Sequence, residues 1–364
     1  MRLDLAAGLA AVVLMVATSS LSAEELEPKY RKVVERGLNW LAKSQYTDGH
    51  WDANGGNYPV AMTALAGMAL LMEGSTCRQG KYANNIRKAV TWLTQRSQAN
   101  GMIGNPRNQI EAGRYMYGHG FSVLFLSQVY GEEEDETQRQ KLEKILTRAV
   151  EFTGKAQTAR GGWGYVSARD GNGFDEGSVT ITQVQALRAA RNAGIVVPKE
   201  IIDKAKEYLR RCTTPNGGVI YSLASGGAAR AGAERLPLTA AAVACMFNAG
   251  EYDSDLAKRW LAFCQQRISL VGNARMGHDE YTHYYLAQAL YILGDKGYEK
   301  LFPNTEPSKR LVWSRYRQAM FERLASAQNN NGSFQGRGIG DVYTTSLYLT
   351  ILQLDLGTLP IYQR

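Results

Sequence analysis

Hydrophobic positions along the chain recur at helical spacing, and the helical segments are of two alternating kinds. One kind is amphipathic. Lys32, Glu35 and Arg36, then Lys141, Glu143 and Lys144, then Lys204, Lys206 and Glu207 place charge on one face and leave the other apolar. The other kind is apolar nearly all round and rich in small residues, as in Ala61-Met62-Thr63-Ala64-Leu65-Ala66-Gly67-Met68. A helix apolar on every side belongs in an interior, and one with a charged face belongs outside. The interior type is expected at 59–72, 118–130, 178–193, 237–248, 279–293 and 341–356, each after an amphipathic partner. Six such pairs fit a closed double ring, an all-α α6/α6 toroid of six inner and six outer helices. No period-two alternation runs long enough to compete as a strand.

A glycine loop joins the two helices of each pair, and it repeats. Residues 36–51 read Arg36-Gly37-Leu38-Asn39-Trp40-Leu41, then Gln45, Gly49 and Trp51. Arg148-Ala149 leads likewise through Phe152 to Gln157, Gly161 and Trp163. Weaker copies run to Gly101 and Ile103, to Gly217 and Val219, to Gln265 and Gly272, and to Gln328, Gly332 and Phe334. Successive glycines are 52, 60, 56, 55 and 60 residues apart, and a period of that size outranks any local reading of the fold. Glycine ends a helix by adopting the left-handed conformation, and the aromatic behind it folds back as a plug. Trp40, Trp51, Trp92, Trp163 and Trp260 are therefore read as packing residues. The even repeat, with no linker, argues for one domain over 24–364.

The string at 36–51 resembles the QW motif of squalene-hopene and oxidosqualene cyclases and matches it at every fixed position; the copy at 148–163 departs only at Thr153. The ending Leu359-Pro360-Ile361-Tyr362-Gln363-Arg364 is similar to that of exported bacterial proteins with a prenyltransferase and squalene oxidase repeat. The resemblance implies the toroid shared by class II terpene cyclases, protein prenyltransferase β subunits and complement thioester domains. It implies chemistry less clearly. The cyclases protonate with Asp-x-Asp-Asp, and the nearest string, Asp253-Ser254-Asp255, lacks the final acid. A prenyltransferase-like zinc site would need Asp-x-Cys and a distant His; Asp341-Val342-Tyr343 lacks the cysteine, and His283 is the nearest histidine. No Cys-Gly-Glu-Gln thioester string occurs. No cofactor and no metal are expected.

Residues 1–23 read as a secretory signal peptide: Arg2, an apolar run over 5–17, then small residues to Ala23. The run is too short to span a membrane, so the expectation is an exported, periplasmic or secreted protein without a transmembrane segment after cleavage. The net charge of +8 is scattered and forms no nucleic-acid footprint. Cys77, Cys212, Cys245 and Cys264 form no disulfide framework, although Cys212 and Cys264 lie near the ends of successive outer helices.

If the inner helices run parallel, their N-termini crowd one mouth of the ring. Tyr58, Tyr117, His119, Asp175, Glu176, Asp279, Glu280, Tyr281, His283, Asp341 and Tyr343 then meet there. Acids at helix N-termini serve as caps. The functional reading is that Asp175 or Asp279, partly buried, acts as general acid. In it Tyr281, Tyr284, Tyr343 and Tyr348 face developing positive charge. Asp279 and His283 are four apart and share a helix face, which reads as a hydrogen-bonded pair in preference to two metal ligands. Three functions stay open: a binding protein holding an apolar, isoprenoid-like or extended ligand in a central cavity, an atypical enzyme of terpene-cyclase or prenyltransferase type, and an interaction scaffold with an envelope protein partner.

Overall fold

The computed structural model describes residues 26–104, 108–171, 173–225, 229–269 and 276–363; the signal-peptide expectation over 1–23 and the loop glycine Gly272 lie outside them. The helices in chain order are α1 (Pro28–Ser44), α2 (Pro59–Leu71), α3 (Ala83–Thr94), a short α4 (Gln109–Ala112), α5 (Tyr115–Glu132), α6 (Glu136–Ala156) and α7 (Gly177–Asn192). They continue as α8 (Lys199–Arg211), α9 (Leu236–Asn248), α10 (Asp255–Gln265), α11 (Asp279–Leu301), α12 (Trp313–Ala327) and α13 (Asp341–Leu352). Among the described residues extended pairing is confined to isolated bridges in loops. None of the described helices is long and apolar enough to cross a membrane.

Helices α2, α5, α7, α9, α11 and α13 pack each against the next, and α13 returns to α2, closing the inner ring. Every residue of α2 after Pro59 is buried, which is why its sequence shows no polar face. Pro59 and Pro237 sit in first turns, where a missing N–H costs nothing. The outer helices α3, α6, α8, α10 and α12 lie on the ring, and α1 packs on both α12 and α13. Helix α11 runs past the expected 293 because it breaks at Gly294, whose φ of +64° is left-handed, and then resumes.

The glycine loops carry the joint between repeats. The Gln157 side-chain amide donates to the Gly161 carbonyl (2.8 Å) and to the Ile201 carbonyl of the next outer helix (2.9 Å). Gln45 does the same to Gly49 and Asn85, both at 2.9 Å. Gln328 donates to Gly332 (2.9 Å) and to Val33 of α1 (2.8 Å), so the last repeat is fastened to the first as the Gln45 and Gln157 repeats are to their neighbours. Gly161 is left-handed at φ +96°, and a Cβ there would lie 2.3 Å from the Lys204 carbonyl oxygen of α8. Both the conformation and the approach require glycine.

Behind the glycine the plug residue is held by its amide, and a tryptophan plug is held a second time by its indole. The indoles of Trp51 and Trp163 donate to the carbonyls of Leu41 and Thr153 at 2.8 Å. The amides of Trp51, Trp163, Val219 and Phe334 donate to the hydroxyls of Thr63, Thr180, Thr239 and Thr345, one on each of four inner helices, at 2.9–3.0 Å. All four cysteines are free.

The end of the chain fills the ring from the inner-helix C-terminal side. The 3₁₀ turn Pro360–Tyr362 packs on α7. The Ile361 amide donates to Gln128 Oε1 of α5 (3.4 Å), and the Tyr362 hydroxyl lies 3.1 Å from that of Tyr284 of α11. Two rungs cross the axis above it from α7 to α11, past the alanine-rich α9: Gln185 to Gln288 at 2.5 Å and Thr182 to Tyr285 at 3.4 Å. These contacts and the tail fill the interior of the ring between α7 and α11.

Gly161→Ala, with its clash and its strain, should cost roughly 3 kcal/mol. Gly194→Ala, at φ +94° but with nothing within 4 Å, should cost about 1 kcal/mol. Gln328→Ala, which leaves the Gly332 carbonyl unpaired and removes the tie to the helical Val33 carbonyl, should cost about 1–3 kcal/mol. Chemical denaturation of the three variants checks this order.

Candidate functional site

The acids at the inner-helix N-termini divide by the direction they face. Asp175, fully buried, is ion-paired with Arg160 and accepts from the Tyr208 hydroxyl (2.9 Å) and the Leu223 amide (3.1 Å). Asp279 is ion-paired with Arg323 of α12 and accepts from the Met276 amide (3.0 Å) and the Tyr348 hydroxyl (2.9 Å). Burial alone would raise the Asp279 carboxyl, but His283, the Met276 amide and Arg323 together hold it below the ordinary carboxylate range. The general-acid reading asked for a raised value. Both aspartates turn toward the outer layer, away from the axis.

His283 follows Asp279 by one turn and shares its face. The two stand 3.6 Å apart instead of forming the expected direct hydrogen bond, and Arg323 bonds to both. Arg323 can only donate, so His283 Nε2 accepts and Nδ1 carries the proton toward the Tyr316 hydroxyl, 2.9 Å away. Burial lowers this imidazole to about 4. A guanidinium thus fills the place a metal would need.

His119 also faces outward, not into the mouth. Its Nδ1 accepts from the Ile103 amide at 3.1 Å, which makes it the counterpart of Thr63, Thr180, Thr239 and Thr345 in the other repeats. Nε2 then donates to Thr153 Oγ1 of α6 at 2.9 Å. Complete burial pushes the ring down to about 3. Asp341 accepts from the Gly336 amide (2.8 Å) and fixes its own loop.

The groups that do face the axis are Tyr117 of α5, Glu176 and Ser178 of α7, Tyr281 of α11 and Tyr343 of α13. Tyr117, Glu176 and Tyr343 are the electrostatic neighbours of Tyr281. Tyr117, Tyr281 and Tyr343 stay partly exposed, whereas Tyr285, one helical turn after Tyr281, is fully buried. Glu176 caps α7, accepting from the Ser178 and Val179 amides at 2.8 Å and from the Tyr117 hydroxyl at 3.0 Å. Burial is the largest influence on its carboxyl and raises it, against the pull of those donors. The Tyr281 hydroxyl is enclosed and has no hydrogen-bond partner. Glu280, at the rim, makes no hydrogen bond or ion pair among the described residues. Tyr58 caps α2 in a left-handed conformation (φ +51°) and lines a small cleft with Glu111 and Arg114.

An aromatic wall leads out from the recess. Ring centroids step from Tyr117 to Tyr165 (5.9 Å), to Phe174 (5.9 Å) and to Tyr221 (6.3 Å), and the Arg114 guanidinium lies over Tyr165 at 4.8 Å. The Tyr165 and Tyr221 hydroxyls bond to each other. The sequence reading missed Tyr165 and Tyr221, although a signal was present: each stands four residues after its repeat glycine, Gly161 or Gly217.

Sequence comparison finds no matching family model and no matching curated protein. Solved structures do match. An aspartate-to-asparagine variant of the type II terpene cyclase MstE of Scytonema, in complex with its substrate geranylgeranyl dihydroxybenzoate, superposes with a TM-score of 0.59 at 13% identity, over 91% of this chain and 98% of that one. An inactive variant of the α-1,6-mannanase of a Salegentibacter species, in complex with α-1,6-mannotriose, gives 0.61 at 11% identity, over 90% and 99%. A protein from Actinoplanes gives 0.56 at 15% identity, over 90% and 99%. At such identities the likeness establishes the fold: the chain is an α/α toroid of the kind found in terpene cyclases.

His119 gives the fold an acid limit. Its value falls from 6.5 to about 3 on folding, so the stability it contributes is complete above pH 6.5 and is lost as pH falls toward 3. Between pH 5 and 4 that loss is about 1.4 kcal/mol per pH unit. His119→Thr, which restores the acceptor used in the other repeats, should remove this part of the slope in urea melts taken across pH, leaving the share due to His283. His119→Ala should remove it too, but at a lower stability throughout, because the Ile103 amide is left unpaired.

Proposed function

We propose that this is an exported binding protein that holds an extended ligand against the aromatic wall, with one end of the ligand in the recess between Tyr117, Tyr281 and Tyr343. The observation that carries the reading is their partial exposure deep in the ring, directly above a packed floor. Buried tyrosines in a purely structural ring would be packed like Tyr284 and Tyr285. A concave aromatic surface with a few convergent polar groups is the usual form of a ligand site. The solved neighbours lend analogy, since one holds a geranylgeranyl compound and another a mannose trisaccharide, both extended molecules. Export rests on the leader over 1–23.

Binding is favoured over catalysis because Asp175 and Asp279 are each committed to an arginine. Glu176, the carboxyl that faces the recess, is engaged as a helix cap. In this reading the partly exposed faces of Tyr117, Tyr281 and Tyr343 hold the inserted end of the ligand, and the wall supplies contact area.

Native mass spectrometry of the protein purified from its own cell envelope tests the proposal. A bound mass should be present on the wild type and absent from Tyr343→Trp, whose larger ring fills the recess. Equal occupancy of the two, or a wild type with no bound mass, contradicts the proposal and turns attention to an envelope protein partner.

A further inference from the structure

We propose that Asn54-Gly55 is the site at which the folded protein modifies itself, by deamidation to aspartate and isoaspartate, and that the isoaspartate form loosens the contact between the first and last repeats. The proposal does not depend on the ligand reading above.

Asparagine before glycine is chemically labile because glycine puts no side chain in the way of its own nitrogen. The Gly55 amide nitrogen attacks Asn54 Cγ, and the side-chain nitrogen leaves as ammonia, carrying off the amide proton. A five-membered succinimide remains. Water then adds to one of its two carbonyls. Opening on one side gives aspartate; opening on the other gives isoaspartate, in which the main chain runs through the side-chain carbon. No oxidant and no reactant other than water is needed.

The sequence holds five Asn-Gly pairs, and both members are described in four of them. Three of these, Asn100-Gly101, Asn216-Gly217 and Asn331-Gly332, lie in the glycine loops and are held at both reacting groups. The glycine amides donate to the carbonyls of Gln98 (3.0 Å), Thr214 (3.0 Å) and Asn329 (2.9 Å), and all three glycines are buried. Their asparagine side chains are fixed as well. Asn100 Oδ1 accepts from the Met102 amide (3.0 Å), Asn331 Oδ1 accepts from the Ser333 amide (2.9 Å), and Asn216 bonds to Glu234. Ring closure in these loops must first break two hydrogen bonds.

Asn54-Gly55 carries neither restraint. Both residues are exposed, and among the described residues neither the Gly55 amide nor the Asn54 side chain makes a hydrogen bond. The turn itself is well held. The Ala53 amide donates to the Asn57 carbonyl (2.7 Å), the Gly56 amide to the Ala53 carbonyl (3.1 Å), and the Asn57 side chain to the Asn54 carbonyl (2.6 Å).

The position gives the modification a consequence. The Asn54 amide donates to the carbonyl of Ile339, in the loop before α13, at 2.9 Å. Asn54 Oδ1 lies so near Gly340 that a Cβ there would be 2.8 Å away. This contact joins the first repeat to the last, in addition to the Gln328 joint. Isoaspartate adds a carbon to the main chain inside the turn and shifts the turn against Ile339.

Incubation of the full chain at mildly alkaline pH, followed by peptide mapping and isoaspartyl-methyltransferase labelling, tests the proposal. Asn54 should convert about tenfold faster than Asn100, Asn216 or Asn331, as two further hydrogen bonds to break imply. In urea the four should convert at similar rates. The wild type should lose urea midpoint on ageing, while Asn54→Gln, aged alongside, should keep its own. Equal native rates at the four sites, or a lead by one of the other three, overturn the assignment. A lead of Asn54 that persists in urea overturns the structural argument, because sequence context alone then accounts for it. A converted Asn54 with the urea midpoint unchanged overturns the loosening of the contact.

Discussion

The structure depends on one joint, the glutamine that ties its own glycine loop to a carbonyl of the next outer helix. Gln45, Gln157 and Gln328 each make both bonds, and in the last case the helix reached is α1. A repeat array normally ends in two unpartnered faces that need special caps. Here the joint found at two seams within the array also closes its ends on each other. The left-handed glycine keeps the loop short enough for its neighbour's backbone to touch it, so the ring tolerates no side chain at the seam.

Because the joint lies in the outer layer, the inner helices need only pack and point. Each has two sets of side chains. One set, including Asp175, His119, Asp279 and His283, turns outward and locks inner helix to outer layer through arginines, tyrosines and threonine. The other set meets across the axis, and below Tyr285 it is closed by the Gln185–Gln288 rung and by the chain's own tail. At the N-terminal mouth Tyr117, Tyr281 and Tyr343 stay partly exposed, and rings from two glycine loops lie beside Tyr117.

The ring itself was legible in the sequence, because alternating amphipathic and all-apolar helices at a steady period have few other solutions. The importance of Gln157 and Gly161 was visible as spacing, while their partners on α8 were not, since those bonds cross to another repeat. The site was legible only as a region. An inner helix with no polar face gives no sign of which side looks at the axis, so Asp279 and Tyr281 seemed equivalent; two positions apart on a helix, they point in different directions. His119 was misplaced for a related reason: it stands where other repeats have threonine, and the change of residue type hid the shared role. The rungs and the tail join residues about 80 to 230 apart in sequence, and nothing local foretells them.

The central claim, that the mouth recess and its wall hold the ligand, is tested most directly by hydroxyl-radical footprinting of the protein as isolated from its envelope, before and after the bound material is stripped. The account predicts that Tyr117, Tyr165 and Tyr221 are protected before stripping and oxidised after it, while Tyr46 and Tyr252 on the outer surface react equally in both. Unchanged reactivity at the mouth, or protection appearing at Tyr46 or Tyr252 instead, would contradict it.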